Sequence, residues 1–156
     1  MAKKIHHFKN FSVIQNDVSI EVDMSRLEDN FNRAQFALDS AIMTSMVPYM
    51  PRRDGLFIDI TKGMSAAIAG TGKVVAAAPP YGRFLYEGKT MVDAKTGSPW
   101  ARKGAQKVTV SEFQGKTNAK ENLTYSGGGQ AHWFDKAKEA DGDSWVNLVK
   151  KTAGGG

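Results

Sequence analysis

The chain contains no cysteine among its 156 residues. That excludes disulfides, thiolate nucleophiles and cysteine-bound zinc or iron–sulfur centres. Three histidines leave little from which to build a metal site. No apolar run approaches the roughly 20 residues that cross a bilayer. The opening Met-Ala-Lys-Lys-Ile-His-His is too polar for a secretory leader. These absences lead to the expectation of a soluble intracellular or virion protein with no redox framework and no membrane partner.

What is present suffices for a core. Hydrophobic residues make up 41% of the chain and aromatics 10%, so wholesale disorder is excluded. A chain of this length hides roughly 70% of its unfolded surface. The net charge of +5 is unevenly placed. Residues 89–120 hold seven cations (Lys89, Lys95, Arg102, Lys103, Lys107, Lys116, Lys120) against Asp93 and Glu112, and the remainder of the chain sums to zero. Such a block can meet phosphate or an acidic protein surface. A solvated loop with scattered lysines has the same composition, and there is no dense arginine cluster.

Residues 5–22 favour strands, with a turn at Gln15-Asn16-Asp17 and therefore a hairpin. Residues 25–46 predict the strongest helix. Ser25 and Glu28 fit a capping box, and Leu27, Phe31, Ala34, Leu38, Ala41, Ile42 and Ser45 fall on one narrow face, with Asn32, Gln35 and Asp39 off it. Pro48 and Pro51 stop it. Arg52 to Gly55 reads as a turn, Leu56–Ile60 as a strand, and Lys73–Ala78 as another. Tyr81, Phe84 and Leu85 have helical spacing, and Gly88 is a natural C-terminal cap. Residues 88–107 lack periodicity and predict a long loop. A short strand is expected at Val108–Val110. Two short helices are expected near the C-terminus, one carrying Trp133, Phe134, Ala137 and Ala140, the other capped by Ser144. The class is α+β: one long amphipathic helix on a small antiparallel sheet, with short C-terminal helices and a long loop. A single domain is expected over 1–151, with a disordered Gly-rich tail at 152–156.

The search for chemistry is mostly negative. Gly70-Thr71-Gly72-Lys73 invites a phosphate-loop reading, but Ala67 stands where the first glycine is needed and Val74 where Ser or Thr is needed. The dinucleotide pattern fails at Val75. His6 and His7 are adjacent and in a strand would point to opposite faces. His132 sits at a helix start, where packing or capping explains it. No nucleophile elbow is present. No catalytic residue, metal or cofactor is expected.

Three features exceed what core packing needs. These are the rigid basic corner at 48–56, with Tyr49, Arg52 and Arg53; the aromatic Tyr81–Tyr86 helix; and the basic 88–107 loop with Trp100. Aromatics and arginines on rigid elements anchor protein interfaces. The interface candidates are Tyr49, Arg52, Arg53, Lys89, Trp100, Arg102, Lys103 and Lys107.

Four stretches carry a family likeness over residues 25–151. They are the helix ending in Pro48-Tyr49-Met50-Pro51 with Gly55-Leu56; Tyr81-Gly82-Arg83-Phe84-Leu85-Tyr86-Glu87-Gly88-Lys89 with Val92-Asp93; Thr96-Gly97-Ser98-Pro99-Trp100-Ala101-Arg102-Lys103-Gly104; and His132-Trp133-Phe134-Asp135-Lys136-Ala137-Lys138. In this order and spacing the chain resembles the minor capsid proteins of tailed bacteriophages, related to tail-completion or neck proteins. It departs from them at Arg53-Asp54-Gly55-Leu56-Phe57 and at Gln130-Ala131. The resemblance implies a non-enzymatic virion protein, made in the host cytoplasm. It would form a ring of six or twelve copies at the head–tail junction, between connector or stopper and tail terminator or tail tube proteins. Double-stranded DNA would pass through the lumen. The alternative is a basic nucleic-acid-binding module that stacks bases on Trp100.

Overall fold

The computed structural model describes residues 4–100 and 102–154. The class is α+β, with four α-helices and two two-stranded antiparallel sheets among the described residues. Contacts group the chain into two compact units. The first gathers the described parts of 1–45, 62–75 and 137–156, and the second those of 46–61 and 76–136. Three helices, α1 (Ser25–Met46), α2 (Leu56–Ile68) and α4 (Trp133–Gly154), contribute residues to both.

In the first unit, β1 (Phe11–Gln15) pairs with β2 (Val18–Val22) in the register Phe11↔Val22 to Gln15↔Val18. Asn16 and Asp17 close the hairpin with φ of 50° and 67°. Positive φ at both central positions matches the right-handed twist of the strands, and Asn and Asp tolerate it best. The expected hairpin is therefore present.

The helix expected over 25–46 is α1, but its start differs from the expected capping box. The Asp23 carboxylate accepts the Ser25 N–H at 2.9 Å and the Ser25 hydroxyl at 3.0 Å. Glu28 does not fold back on the cap. Its carboxylate accepts the Phe8 N–H at 3.4 Å and lies 3.8 Å from the Lys4 ammonium and 3.6 Å from His7. The segment before β1 thus competes for Glu28, and it lays Phe8 and His6 edge-on against Phe31.

Asp39, expected off the apolar face of α1, is only 3% exposed. One carboxylate oxygen accepts the N–H groups of Gly70 at 2.8 Å and Gly72 at 3.0 Å. The other accepts Gln35 Nε2 at 2.7 Å. A buried carboxylate is tolerable only when its lone pairs are filled in this way. On the other side of α1, Trp145 of α4 donates its indole N–H to Ser45 Oγ at 3.2 Å.

In the second unit, a 3-10 turn at Val47–Tyr49 follows α1, with proline at its start. Residues 56–60, expected as a strand, begin α2 instead. The cause is local: Asp54 accepts the Leu56 N–H at 3.1 Å, and Gly55 sits at φ 80°. An uninterrupted apolar run cannot be assigned by periodicity, and here the N-terminal cap decides. Residues 73–78 form no strand. Their backbone groups go to side chains. In the first unit Ser65 accepts the Val75 N–H and donates to its carbonyl, both at 3.0 Å. In the second, Thr61 accepts the Ala78 N–H at 3.3 Å, and Trp133 Nε1 donates to the Ala76 carbonyl at 2.7 Å.

The aromatic helix is α3 (Gly82–Glu87), and Gly88 caps it in the left-handed conformation at φ 68°. The 88–107 stretch is not one loop. Met91–Asp93 forms β3 and pairs with β4 (Lys107–Thr109), which leaves a 94–106 arm between them. The two expected C-terminal helices are one continuous α4. Asp141-Gly142-Asp143-Ser144 reads as a break, but a helical glycine costs only about 1 kcal/mol, and Ala137, Trp145 and Ala153 are all buried along α4. Thr152 to Gly154, expected in a disordered tail, continue α4, while residues 155 and 156 lie outside the described residues.

Asp39→Ala would leave the buried Gly70 N–H and the part-buried Gly72 N–H without their acceptor. We expect a loss of about 3 kcal/mol, read as a lower denaturant midpoint with unchanged slope.

Candidate functional site

All eight interface candidates lie in the second unit. They fall into distinct settings. Tyr49 is half-buried, and its carbonyl accepts the Gln130 N–H at 3.0 Å. Arg52 and Arg53 are exposed, and the Arg52 guanidinium reaches the Val47 carbonyl at 3.5 Å. This corner is held from outside by Gly129, where a Cβ would lie 2.7 Å from Met50 and Pro51 backbone atoms.

Lys89 is committed. Its ammonium donates to Glu121 at 3.3 Å and to Asn122 Oδ1 at 3.2 Å, beside the Lys89↔Asn122 bridge. It shares a cleft of ≈ 690 Å³ with Lys107, Arg83, Glu87 and Glu112. Positive and negative groups therefore alternate there.

Trp100, Arg102 and Lys103 stand on the 94–106 arm. Trp100 is 88% exposed, and its backbone N–H donates to Ser98 Oγ at 3.1 Å. Arg102 and Lys103 line a cleft of ≈ 320 Å³ with Asp93 and Lys95.

The root of the arm is Asp93, which the sequence offers as a charge and as part of the family likeness but not as a site residue. It is 1% exposed. Its Oδ1 accepts the N–H groups of Lys95 at 2.8 Å and Thr96 at 3.2 Å. Its backbone exchanges bonds with Ser98 and Gly97, both at 2.8 Å. Gly97 adopts φ 67° with the Phe113 ring directly against it, so a side chain there would collide. Thr117 donates its hydroxyl to the Gly97 carbonyl at 2.6 Å. The other carboxylate oxygen, Oδ2, has no hydrogen-bond partner among the described residues and lies 3.8 Å from Arg102 Nε. The Lys95 N–H is the main cause holding the Asp93 carboxyl below the usual carboxylate range, helped by the Thr96 N–H and the Arg102 charge and opposed by burial. The signal was readable: Asp followed by Lys-Thr-Gly is the pattern of a turn closed by an Asx side chain.

A second cluster was also missed. The Tyr86 hydroxyl donates to Asp135 at 3.2 Å, and its ring meets Trp133 and His132 edge-on at 4.9 and 5.1 Å. His132 adopts φ 52°, donates its N–H to the Tyr86 carbonyl and lies 3.6 Å from Asp135. Burial first, then the Asp135 charge and hydrogen bond, push the Tyr86 phenol up to about 12. Trp133 is fully buried and meets Phe57 edge-on, so this cluster closes the core around α3.

Among the described residues no group of three or more His, Asp or Glu could hold a metal ion. No described helix is long and apolar enough to cross a membrane. No protein-family model, curated protein or solved structure matches this chain.

Two titrations follow. A lowered Asp93 value means that its contribution is present above the ordinary 3.8 and is lost as pH falls through the lowered value. Protection of the Lys95 and Thr96 amides, measured against the intrinsic exchange rate at each pH, should fall in acid, and Asp93→Ala should lack that protection already at neutral pH. The raised phenol acts oppositely. The Tyr86 contribution is intact below the usual 10.0 and disappears as pH rises towards about 12. Absorbance titration should show a late-ionising tyrosine that is absent in Tyr86→Phe.

Proposed function

We propose that this chain is a non-enzymatic structural protein of a tailed-phage virion. It forms a ring at the head–tail junction, joins connector to tail, and lets double-stranded DNA pass. The observation that carries the reading is the arm. Trp100 is 88% exposed between the rigid Asp93 turn and the cations Arg102 and Lys103. A large indole left in water beside two cations, on a root fixed by backbone hydrogen bonds, is what a docking anchor requires before its partner arrives. The family likeness through Tyr81–Lys89, Thr96–Gly104 and His132–Lys138 supports the same reading.

Ring physics then assigns roles. A head-to-tail subunit needs two different patches, and rotation closes the ring. The arm supplies contacts to a neighbouring protein of the neck, and the Tyr49–Arg53 corner supplies others. Lys89 belongs to the subunit itself through Glu121 and is a poor candidate for direct docking. Seven cations facing DNA in every copy would grip the genome in a salt-dependent way, which opposes sliding. Arg102 and Lys103 therefore face protein.

The exposed Trp100 also favours one rival, a module that stacks single-stranded bases on it. That module would shift nucleic acid at low salt and lose it steeply as salt rises.

Arg102→Glu with Lys103→Glu should leave the free subunit folded by circular dichroism and block head–tail joining in a phage carrying the change. Normal particles would overturn the reading, as would electron microscopy that placed the chain away from the neck.

A further inference from the structure

The β1–β2 hairpin of the first unit is two-faced. Its register sets Phe11 opposite Val22, Val13 opposite Ile20, and Gln15 opposite Val18. Side chains alternate along each strand, so Phe11, Val13, Val18, Ile20 and Val22 share one face. Ser12, Ser19 and Glu21 share the other with Ile14. Yet Phe11, Val13, Val18 and Ile20 are between 48% and 57% exposed. A lone two-stranded hairpin is marginal in water, and an apolar face of this kind marks a contact not yet made.

The same unit carries an apolar groove. A groove of ≈ 330 Å³ runs between α1 and the second half of α2, floored by Met43, Ala66 and Ala69 and edged by Lys62. The groove is apolar and concave, whereas the hairpin face is apolar and protrudes. Charge matches as well. The hairpin carries Asp17 at its tip, which has no ion-pair partner among the described residues. The cation at the groove edge, Lys62, is exposed and has none either.

We infer that the apolar face of the hairpin seats in the α1–α2 groove of a second copy of this chain. Knob and socket are different patches of one polypeptide, so the contact is head-to-tail and can repeat around a ring. Four half-exposed side chains fall short of the roughly 800 Å² per partner of a stable pairwise interface. A single contact is therefore weak, and closure of the ring adds to it. The inference rests on the ring reading above and names the sister-copy surface within it.

Because the chain has no cysteine, introduced thiols report contacts without background. Ile20→Cys and Ala66→Cys, both at exposed positions, would be purified separately as full chains, mixed at high concentration and mildly oxidised. The expected product is a mixed disulfide dimer, with little from either variant alone. The double variant should give a ladder ending in one closed species. Val13→Glu with Ile20→Lys, opposite charges on directly paired positions, should weaken self-association by about tenfold or more in sedimentation, with an unchanged circular dichroism spectrum. Dimers from Ile20→Cys alone would mean symmetric hairpin pairing and overturn the inference. So would an intramolecular disulfide in the double variant. Oligomers by sedimentation without the mixed disulfide would overturn this contact and leave the ring reading standing. A monomer at every concentration, with no disulfide, would overturn both.

Discussion

A carboxylate on a helix face that packs inward must find donors or destabilise the fold, and Asp39 finds three. Two are the N–H groups of Gly70 and Gly72, which lie 31 and 33 residues away in sequence. The third is Gln35 on its own helix. This arrangement ties the middle of α1 to the turn that leaves α2, and so sets the two walls of the groove that holds Met43 and Ala66. The glycine turn that mimics a phosphate loop in sequence is thus an anion nest whose anion is supplied by the chain itself.

The same logic runs through the second half of α2. A stretch whose residues favour a strand, 73–78, pairs with no strand among the described residues. Hydroxyls one turn apart, Thr61 and Ser65, take its amides instead, and the Trp133 indole takes a carbonyl. Backbone groups that a sheet would have satisfied are satisfied by side chains, as buried backbone requires. Both hydroxyls sit in α2, whose first residues have the apolar run of a strand.

What was legible was local. The extent of α1, the hairpin turn at Asn16-Asp17 and the Gly88 cap are each set within a few residues of the element they define. What was illegible depends on distant partners. Residues 56–60 have no period to read, so only the Asp54 cap distinguishes helix from strand. Asp141-Gly142-Asp143-Ser144 carries every local sign of a break, yet Ala137 and Trp145 are buried on either side of it and the helix continues. Among the candidate site residues, Trp100, Arg102 and Lys103 were readable as an exposed basic arm. The pairing of Lys89 with Glu121, 32 residues on, was not. Asp93 was readable in principle, since its turn is written in the next four residues, but it was counted as a charge and not as an anchor.

At the root of the arm, the two carboxylate oxygens of Asp93 have unequal duties. Oδ1 is bound tightly to the turn, whereas Oδ2 attracts the Arg102 guanidinium across 3.8 Å and has no hydrogen-bond partner among the described residues. Stiffness and release are thereby separated within one side chain. The guanidinium can be handed to an incoming carboxylate without unfastening anything that shapes the turn, so capture of the arm would leave its foundation in place.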